Sequence, residues 1–383
     1  DISLSSIISN LSIELKIKTF LVGGYVRDLF LERNSKDIDI LVIGDGISFA
    51  NEVKKRLDSK ISLQIFKNFG TAMINYNGFD IEFVGSRKES YQKSSRNPVI
   101  TVGTFEDDIS RRDFTINSVA ISLNEDDKGR IIDLFDGISD LKKGIIKTPK
   151  DPKITFYDDP LRMMRAIRFA TQLNFKIEDS NIKVIKSDKE RIKIISMERI
   201  HEELNKILLS PKPSIGFILL KSTGLLEIIL PEIIKLEGID EIEGKSHKDN
   251  FYHTLQVLDN ISKNTDNLWL RWAALLHDIG KPRTKRYDKK KGWSFHGHEY
   301  VGSKMVYKIF KRLKLPLNIK LNYVKKLVLL SSRPAILSSD EITDSAIRRL
   351  IFDAGDDIND LLTLCEADIT TKNSKLEKKY LNN

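Results

Sequence analysis

Apolar and polar positions follow two rhythms along this chain. Up to Ile145, short strand-like runs interleave with helical ones. Thr19–Val22 is a brief apolar run that ends in Gly23-Gly24. Asp37–Ile43 (DIDILVI) alternates acidic with apolar residues, as a half-buried strand does. Thr71–Asn75 and Phe79–Val84 predict two more strands, joined by the turn-forming pair Asn77-Gly78. Ser48–Leu57 reads as a helix. Thr115–Leu123 starts helical and ends strand-like, and pattern alone does not decide it. From Asp158 onward the apolar spacing is helical. It predicts helices over Leu161–Leu173, Met197–Leu209, Pro213–Leu220, Asn250–Ile261, Leu268–Ile279, Gly302–Leu313 and Ile319–Leu330. Pro211 and Pro213 punctuate between two of them. No strand is evident after Asp133–Phe135. The expectation is an α+β chain: a head with a small mixed sheet over 1–150, an all-helical neck over 151–240, and a helical body over 241–383. The polar stretch Glu237–Asn250 reads as the linker between the last two.

Composition narrows the classes. The 383 residues fit two to four domains at roughly 100–200 residues each. With 40% hydrophobic and 31% charged residues, a core can form and wholesale disorder is excluded. No apolar run nears the ~18–20 residues that span a bilayer, so no membrane partner is expected. The first twenty residues lack a cationic start followed by an apolar block, so no secretory signal is expected. The absence of an initial Met suggests a trimmed start. The single cysteine, Cys365, excludes an internal disulfide framework and a thiolate metal cluster, and fits a reducing, cytoplasmic setting. Lys and Arg number 63 against 54 Asp and Glu, a net charge of +9, which favours a polyanionic partner. The basic run Lys281–Lys291 reads by default as a solvated loop, with an RNA contact as the alternative.

Three clusters in the first 170 residues carry chemistry. The first is Leu21–Ile40, LVGGYVRDLFLERNSKDIDI. Gly23 and Gly24 let a ligand approach backbone amides at a helix start, which suits phosphate. Arg27, one turn on, adds charge-assisted hydrogen bonds. Asp37 and Asp39, two apart on a strand, leave the same face and make a hard oxygen site suited to Mg²⁺. Glu82, on the later strand, is a candidate third carboxylate. The second cluster is Glu106–Ser118, EDDISRRDFTINS. Arg111 or Arg112, or both, can clamp triphosphate oxygens, while Asp113 and Asn117 can orient a primer end or a sugar. The competing reading is a salt-bridged helix start capped by Asp113. The third cluster is Asp158–Phe169, DDPLRMMRAIRF. Pro160 suits a first helical turn behind acidic residues. Asp159 supplies acceptors and Arg162 a rigid donor fork, so the pair can meet the hydrogen-bonding edge of a base without a nucleic-acid template. Arg165 and Arg168 extend a cationic band suited to phosphate.

The spacing of the first cluster resembles the nucleotidyltransferase superfamily that includes DNA polymerase beta, in which paired aspartates hold two metals. With all three clusters in order, residues 20–240 resemble a class II tRNA nucleotidyltransferase, the family of CCA-adding enzymes and bacterial poly(A) polymerases. The resemblance implies a polymerase-beta-like head. It implies Mg²⁺ at Asp37 and Asp39, and nucleotide contacts from Gly23, Gly24, Arg27, Arg112, Asp113, Asn117, Asp159, Arg162, Arg165 and Arg168. Ser196–Leu204 (SMERIHEEL) is similar to the family's neck motif, where Glu198 and Arg199 would brace the helix that reads the base. Arg87–Gly103 matches in place a flexible loop that helps the family switch from CTP to ATP, and it carries Arg87, Lys88, Lys93 and Arg96. One departure is that the base-reading motif begins Asp158-Asp159 where the family often has Glu-Asp. The implied activity is transfer of CMP, CMP and AMP to the 3′ end of tRNA, with tRNA, CTP and ATP as partners and the chain as monomer or homodimer. A poly(A) polymerase, a partial CC- or A-adding enzyme, a phosphohydrolase and a non-catalytic RNA-binding protein are the alternatives.

A fourth group lies in the C-terminal half. His253 sits on a helical stretch, His277-Asp278 closes another before Gly-Lys-Pro, His296 and His298 follow in FHGHEYVG, and Asp368 lies in LLTLCEADIT. Imidazoles and carboxylates in this number can hold a divalent metal and activate water. Residues 245–370 resemble the HD phosphohydrolase superfamily. The resemblance implies His253, His277, Asp278 and Asp368 as metal ligands, with His298 as a substrate or second-metal group. Leu329–Pro334 (LLSSRP) departs from it where many HD proteins carry further His, which weakens a two-metal site.

Overall fold

The structure is a computed structural model that describes residues 4–57, 61–67, 70–92, 95–337 and 343–370. Lys93 and the basic end Lys372–Lys379 lie outside the described residues. The chain divides into two compact units: residues 1–162 with 175–184, and residues 163–174 with 185–383.

The first unit is built on nine strands: β1 (Thr19–Val22), β2 (Asp37–Val42), β3 (Leu63–Phe66), β4 (Thr71–Tyr76), β5 (Phe79–Gly85), β6 (Arg87–Gln92), β7 (Ser95–Val102), β8 (Ala120–Ser122) and β9 (Ile131–Ile132). Seven of them form one mixed sheet in the order β3-β4-β5-β2-β1-β8-β9. The pair β2–β5 is parallel and its neighbours are antiparallel. Helices α1 (Leu4–Leu15), α2 (Gly23–Phe30), α3 (Gly46–Leu57), α4 (Phe105–Ser110), α5 (Gly137–Lys143) and α6 (Pro152–Asp158) accompany it. Alternation along β2 splits the sheet into two faces. Ile40 and Val42 enter one core with Ile81 and Phe83 of β5 and with residues of α1 and α3. Leu41 points the other way, into a second core with Val22 and Ile109. Asp37 and Asp39 share the face of Leu41.

The predicted turn holds in detail. Asn77 (φ 51°) and Gly78 (φ 80°) both have the left-handed backbone that a two-residue hairpin needs, and Tyr76 pairs with Phe79. Thr115–Leu123 was ambiguous by pattern because it is two things: a 3₁₀ turn over Thr115–Asn117, then β8. Within Arg87–Gly103, expected as a flexible loop, residues 87–92 and 95–102 pair as the two-stranded ribbon β6–β7.

The second unit holds most of the remaining helices: α7 (Leu161–Leu173), α8 (Asp179–Asp188), α9 (Met197–Leu208), α10 (Ser214–Ser222), α11 (Leu225–Ile229), α12 (Pro231–Ile234), α13 (Asn250–Ser262), α14 (Leu268–Leu276), α15 (Lys281–Thr284), α16 (His298–Arg312), α17 (Ile319–Leu330), α18 (Arg333–Leu337), α19 (Asp344–Ala354) and α20 (Ile358–Asp368). The expectation of helices alone is corrected by three small ribbons. These are β10 (Ile145–Ile146) with β11 (Lys176–Ile177), a further pair inside the first unit, and, in the second unit, β12 (Glu241–Ile242) with β13 (Lys245–Ser246) and β14 (Arg286–Asp288) with β15 (Gly292–Ser294). Strands of two or three residues are too short for a period of two to be read. Arg271, almost fully buried, ties the helices together. Its guanidinium donates to the carbonyls of Leu208 and Ser210 after α9, and of Ser262 and Thr265 after α13. One cation thus satisfies orphan carbonyls at two helix ends. Among the described residues, no helix is long and apolar enough to cross a membrane.

Candidate active site

β1 ends at Val22, beside Asp39 in register, and the chain turns into α2 at Gly23. Gly23 has φ +76°, and a Cβ there would lie 2.5 Å from Asp39 Oδ2 and 3.2 Å from Arg112 Nη1. Only glycine lets a carboxylate and a guanidinium close on this backbone. No side chain caps the start of α2, which leaves its first amides for a ligand. Across the parallel pair, Asp39 stands in register with Glu82, so both leave the same face, with Asp37 two residues away. Burial, then the negative charges of Glu82 and Asp37, push the Asp39 carboxyl up to about 6, against the opposing pull of Arg112 and Arg27. Three carboxylates crowded on one face form a hard oxygen donor set that fits a divalent cation.

Beside them runs a hydrogen-bonded chain. Arg27 donates from Nε and Nη2 to both oxygens of Asp28, at 2.9 Å each, and from Nη1 to Asn117 Oδ1 at 2.9 Å. Asn117 Nδ2 donates in turn to Asp113 Oδ1 at 3.0 Å. Asp113 and Asn117 are both buried, so this network presents the fixed edge of Arg27 rather than mobile side chains.

Asp108, fully buried on α4, escaped the sequence reading. It accepts from Arg111 Nε at 3.0 Å and from Arg112 Nη2 at 3.2 Å. The signal was present, because residues three and four apart on a helix meet. Arg112 Nε is buried with no hydrogen-bond partner, an unused donor next to Gly23 and Asp39. Asp159 accepts the backbone N–H of Leu161 at 3.1 Å and so caps α7. Arg162, on its first turn, donates to the Arg111 carbonyl at 2.7 Å.

The two remaining arginines of the band lie in the second unit. Arg165 is half-buried, its guanidinium 5.4 Å from the centre of the Phe169 ring. Arg168 is buried, stacks at 4.1 Å on the same ring, and pairs with Glu203 through Nε at 3.2 Å. Glu203 lies on α9 one turn beyond Arg199. It holds Arg168 from the same helix as Glu198, which is exposed, and Arg199, which is half-buried.

The C-terminal cluster is compact. His253 Nε2, His277 Nε2 and a carboxylate oxygen of Asp368 lie within 4.8 Å of one another. The Nδ1 atom of His277 faces the Ala274 carbonyl at 2.7 Å, which fixes the tautomer and aims Nε2 at Asp368, 3.5 Å away. His277 Nε2 is buried without a hydrogen-bond partner, and Asp368 Oδ1 meets His253 Nε2 at 2.8 Å, so nitrogen and oxygen donors converge on one point. Burial disfavours charge on His277, but Asp278 and Asp368 outweigh it and raise the imidazole to about 10. A divalent cation would take the place of that proton, so these residues fit one. Asp278 sits at the edge, 3.3 Å from His277 Nε2 and 3.3 Å from His298 Nε2, with Lys281 Nζ at 2.6 Å. His296 is exposed and has no part in the cluster.

Residues 19–147 match the Poly A polymerase head domain, and residues 174–236 the family described as "Probable RNA and SrmB- binding site of polymerase A". Residues 250–370 match the HD domain. The chain is 35% identical over 272 residues to the A-adding tRNA nucleotidyltransferase of Deinococcus radiodurans, covering 69% of this chain and 59% of that protein. It is 39% identical over 270 residues to the CCA-adding enzyme of Lactobacillus helveticus, covering 69% and 62%. The chain therefore spans about three fifths of the length of these relatives. Among solved structures, the Thermotoga maritima CCA-adding enzyme complexed with tRNA superposes with a TM-score of 0.68 at 24% identity, over 99% of this chain and 81% of that one. A tRNA nucleotidyltransferase with a primer tRNA and an incoming ATP analog gives 0.70 at 23% identity, over 98% and 96%. These two likenesses establish the fold.

Proposed function

Because the chain belongs to the poly(A) polymerase and tRNA nucleotidyltransferase family with a C-terminal HD domain, we propose that it adds CMP, CMP and AMP to the 3′ end of tRNA, from CTP and ATP and without a nucleic-acid template. The observation that carries the reading is the single face shared by Asp37, Asp39 and Glu82, closed by the side-chain-free Gly23. In the reaction the terminal ribose hydroxyl forms a new O–P bond at the α-phosphorus. The bond to pyrophosphate breaks, and the hydroxyl proton leaves. Asp37 and Asp39, with Glu82 beside them, would hold Mg²⁺, which when bound neutralises triphosphate charge and favours the attacking alkoxide.

The chain's own groups do the rest. The free amides at the start of α2 and the guanidinium of Arg112 meet the triphosphate. Arg27, fixed by Asp28 and Asn117, keeps one orientation through successive additions. Asp159 and Arg162 read the base edge, and Arg165 and Arg168 belong to the same helix, with Arg168 set by Glu203. Residues 151–240 serve as the neck and 241–383 as the body, where His253, His277 and Asp368, with Asp278 at their edge, would hold a second divalent ion. A cytoplasmic setting goes with this reading.

Addition of the terminal AMP alone is the second reading, favoured by the A-adding relative. The segment over residues 87–102, in the place where the family switches from CTP to ATP, supports complete addition. The test is transfer of labelled CMP to a tRNA transcript lacking its CCA end. The unaltered chain extends it, and Asp39→Ala abolishes extension while tRNA binding persists. Normal turnover by Asp39→Ala would refute the assignment.

A further inference from the structure

Of the basic run Lys281–Lys291, only Lys281 touches the site described so far, through Asp278. It is not a loose loop. Its residues form α15 and the β14–β15 hairpin, which is stitched to the β12–β13 hairpin. Lys245 Nζ donates to the carbonyls of Lys289 and Lys290 at 2.9 and 3.3 Å, across the tip of the hairpin. Trp293 Nε1 donates back to the Lys245 carbonyl at 3.0 Å, and the Tyr287 hydroxyl to that of Ile242 at 3.3 Å.

The charge of the basic run is one-sided, while the β12–β13 ribbon packed against it carries Glu241 and Glu243, the latter accepting from the Tyr287 hydroxyl at 3.3 Å. Lys281, Arg283, Lys285, Arg286, Lys289, Lys290 and Lys291 are opposed within the run only by Asp288. That carboxylate is spent on the backbone: one oxygen accepts the N–H groups of Lys290 and Lys291, at 2.8 Å each. Lys281 and Lys285 have carboxylate partners in Asp278 and Asp240. Among the described residues no carboxylate pairs with Arg283, Arg286, Lys289, Lys290 or Lys291, and all five are exposed. Aromatic rings are set among the cations. Trp293 lies 5.2 Å from Tyr287, with Lys285 Nζ 4.8 Å from its ring centre.

Both ends of the run are tethered to the histidine–aspartate cluster. Lys281 begins α15 with its Nζ 2.6 Å from Asp278 Oδ2. β15 runs on through Phe295 to His298, whose Nε2 is 3.3 Å from Asp278 Oδ1. We propose that the twin ribbons are an RNA-binding platform that holds a strand by its phosphates, with Tyr287 and Trp293 beside it, next to the metal cluster. Five exposed cations without carboxylate partners, on a ribbon that also carries Tyr287 and Trp293, are suited to a phosphate backbone with bases. The choice of RNA over another polyanion rests on the proposed function.

The test is binding of the full chain to a tRNA transcript lacking its CCA end, by filter retention across a salt series, with no nucleotide present. The variant Lys289→Gln/Lys290→Gln/Lys291→Gln should bind about tenfold more weakly. Its slope of log affinity against log salt should flatten by about two to three, one for each lost phosphate contact. A charge-matched variant in the head, Lys128→Gln/Lys142→Gln/Lys143→Gln, should keep both affinity and slope. Unchanged binding by the ribbon variant, or an equal loss in both variants, overturns the proposal, as does a ribbon-dependent preference for anionic vesicles over RNA. The readout is independent of catalysis. Ribbon-dependent RNA binding without nucleotide addition would sink the reading of the head and leave the platform standing.

Discussion

Arg162 donates from Nη2 to the backbone carbonyl of Arg111 at 2.7 Å. The residue assigned to read the base is thus anchored on the residue that, through Asp108, helps hold the triphosphate clamp. Arg162→Ala removes the fork and its anchor together. It should cut CMP transfer at least tenfold and blur the choice between CTP and ATP, while leaving the melting temperature within a few degrees. Product sequencing with equal CTP and ATP checks this; unaltered selectivity would count against the base-reading role.

The two glycines that open α2 separate strain from contact. A methyl at Gly23 must occupy space 2.5 Å from Asp39 Oδ2 on a left-handed backbone. At Gly24 it meets the end of Arg27 at an ordinary 3.5 Å. Gly23→Ala should therefore lose roughly 1–3 kcal/mol of stability and nearly all transfer. Gly24→Ala should fold normally and lose far less activity. Urea unfolding and transfer rates of the two variants, side by side, check the contrast.

Asp108 balances two guanidiniums from a fully buried position. Removing one partner of a buried charge network typically costs about 3–5 kcal/mol. Asp108→Ala should show a loss of that order in denaturant unfolding, together with a raised KM for CTP, since Arg112 loses its support. Asp108→Glu should recover part of the stability. A variant with unchanged KM would separate Asp108 from the clamp.

Asp39 carries the pH dependence of the head. Its carboxyl is raised from 3.8 to about 6 in the folded chain. The metal-free fold therefore binds that proton more tightly than the unfolded chain does. The resulting stability is full below about 3.8 and is lost as pH rises through about 6. Proton and cation compete for the same carboxylate, so the Mg²⁺ needed for half-maximal transfer should rise several-fold between pH 7 and pH 5.5. A Mg²⁺ requirement that does not move over this range would contradict the shared site.

The sequence carried the head unusually far, because its chemistry sits where chain geometry is simplest. Asp37 and Asp39 share a face by the period of a strand, and Asn77-Gly78 turns a hairpin by backbone preference alone. What escaped were relations across the fold. Glu203 looks like an ordinary surface acid in sequence, and only packing reveals that it fixes Arg168, whereas Asp28 and Asp108 hold arginines within four residues and were legible in principle. Arg168 was read as part of a phosphate-facing band because helical spacing alone cannot show that Glu203 and Phe169 enclose it. The ribbons over 241–246 and 286–294 were invisible for want of length, although the charge of the second was plain.

The most direct measurement supplies a tRNA transcript lacking CCA, Mg²⁺, and CTP alone, ATP alone, or both, and reads the 3′ ends. The account predicts CC from CTP alone, nothing from ATP alone, and CCA with no further growth from both. A long run of A from ATP, or a single A added only to transcripts that already end in CC, would contradict it.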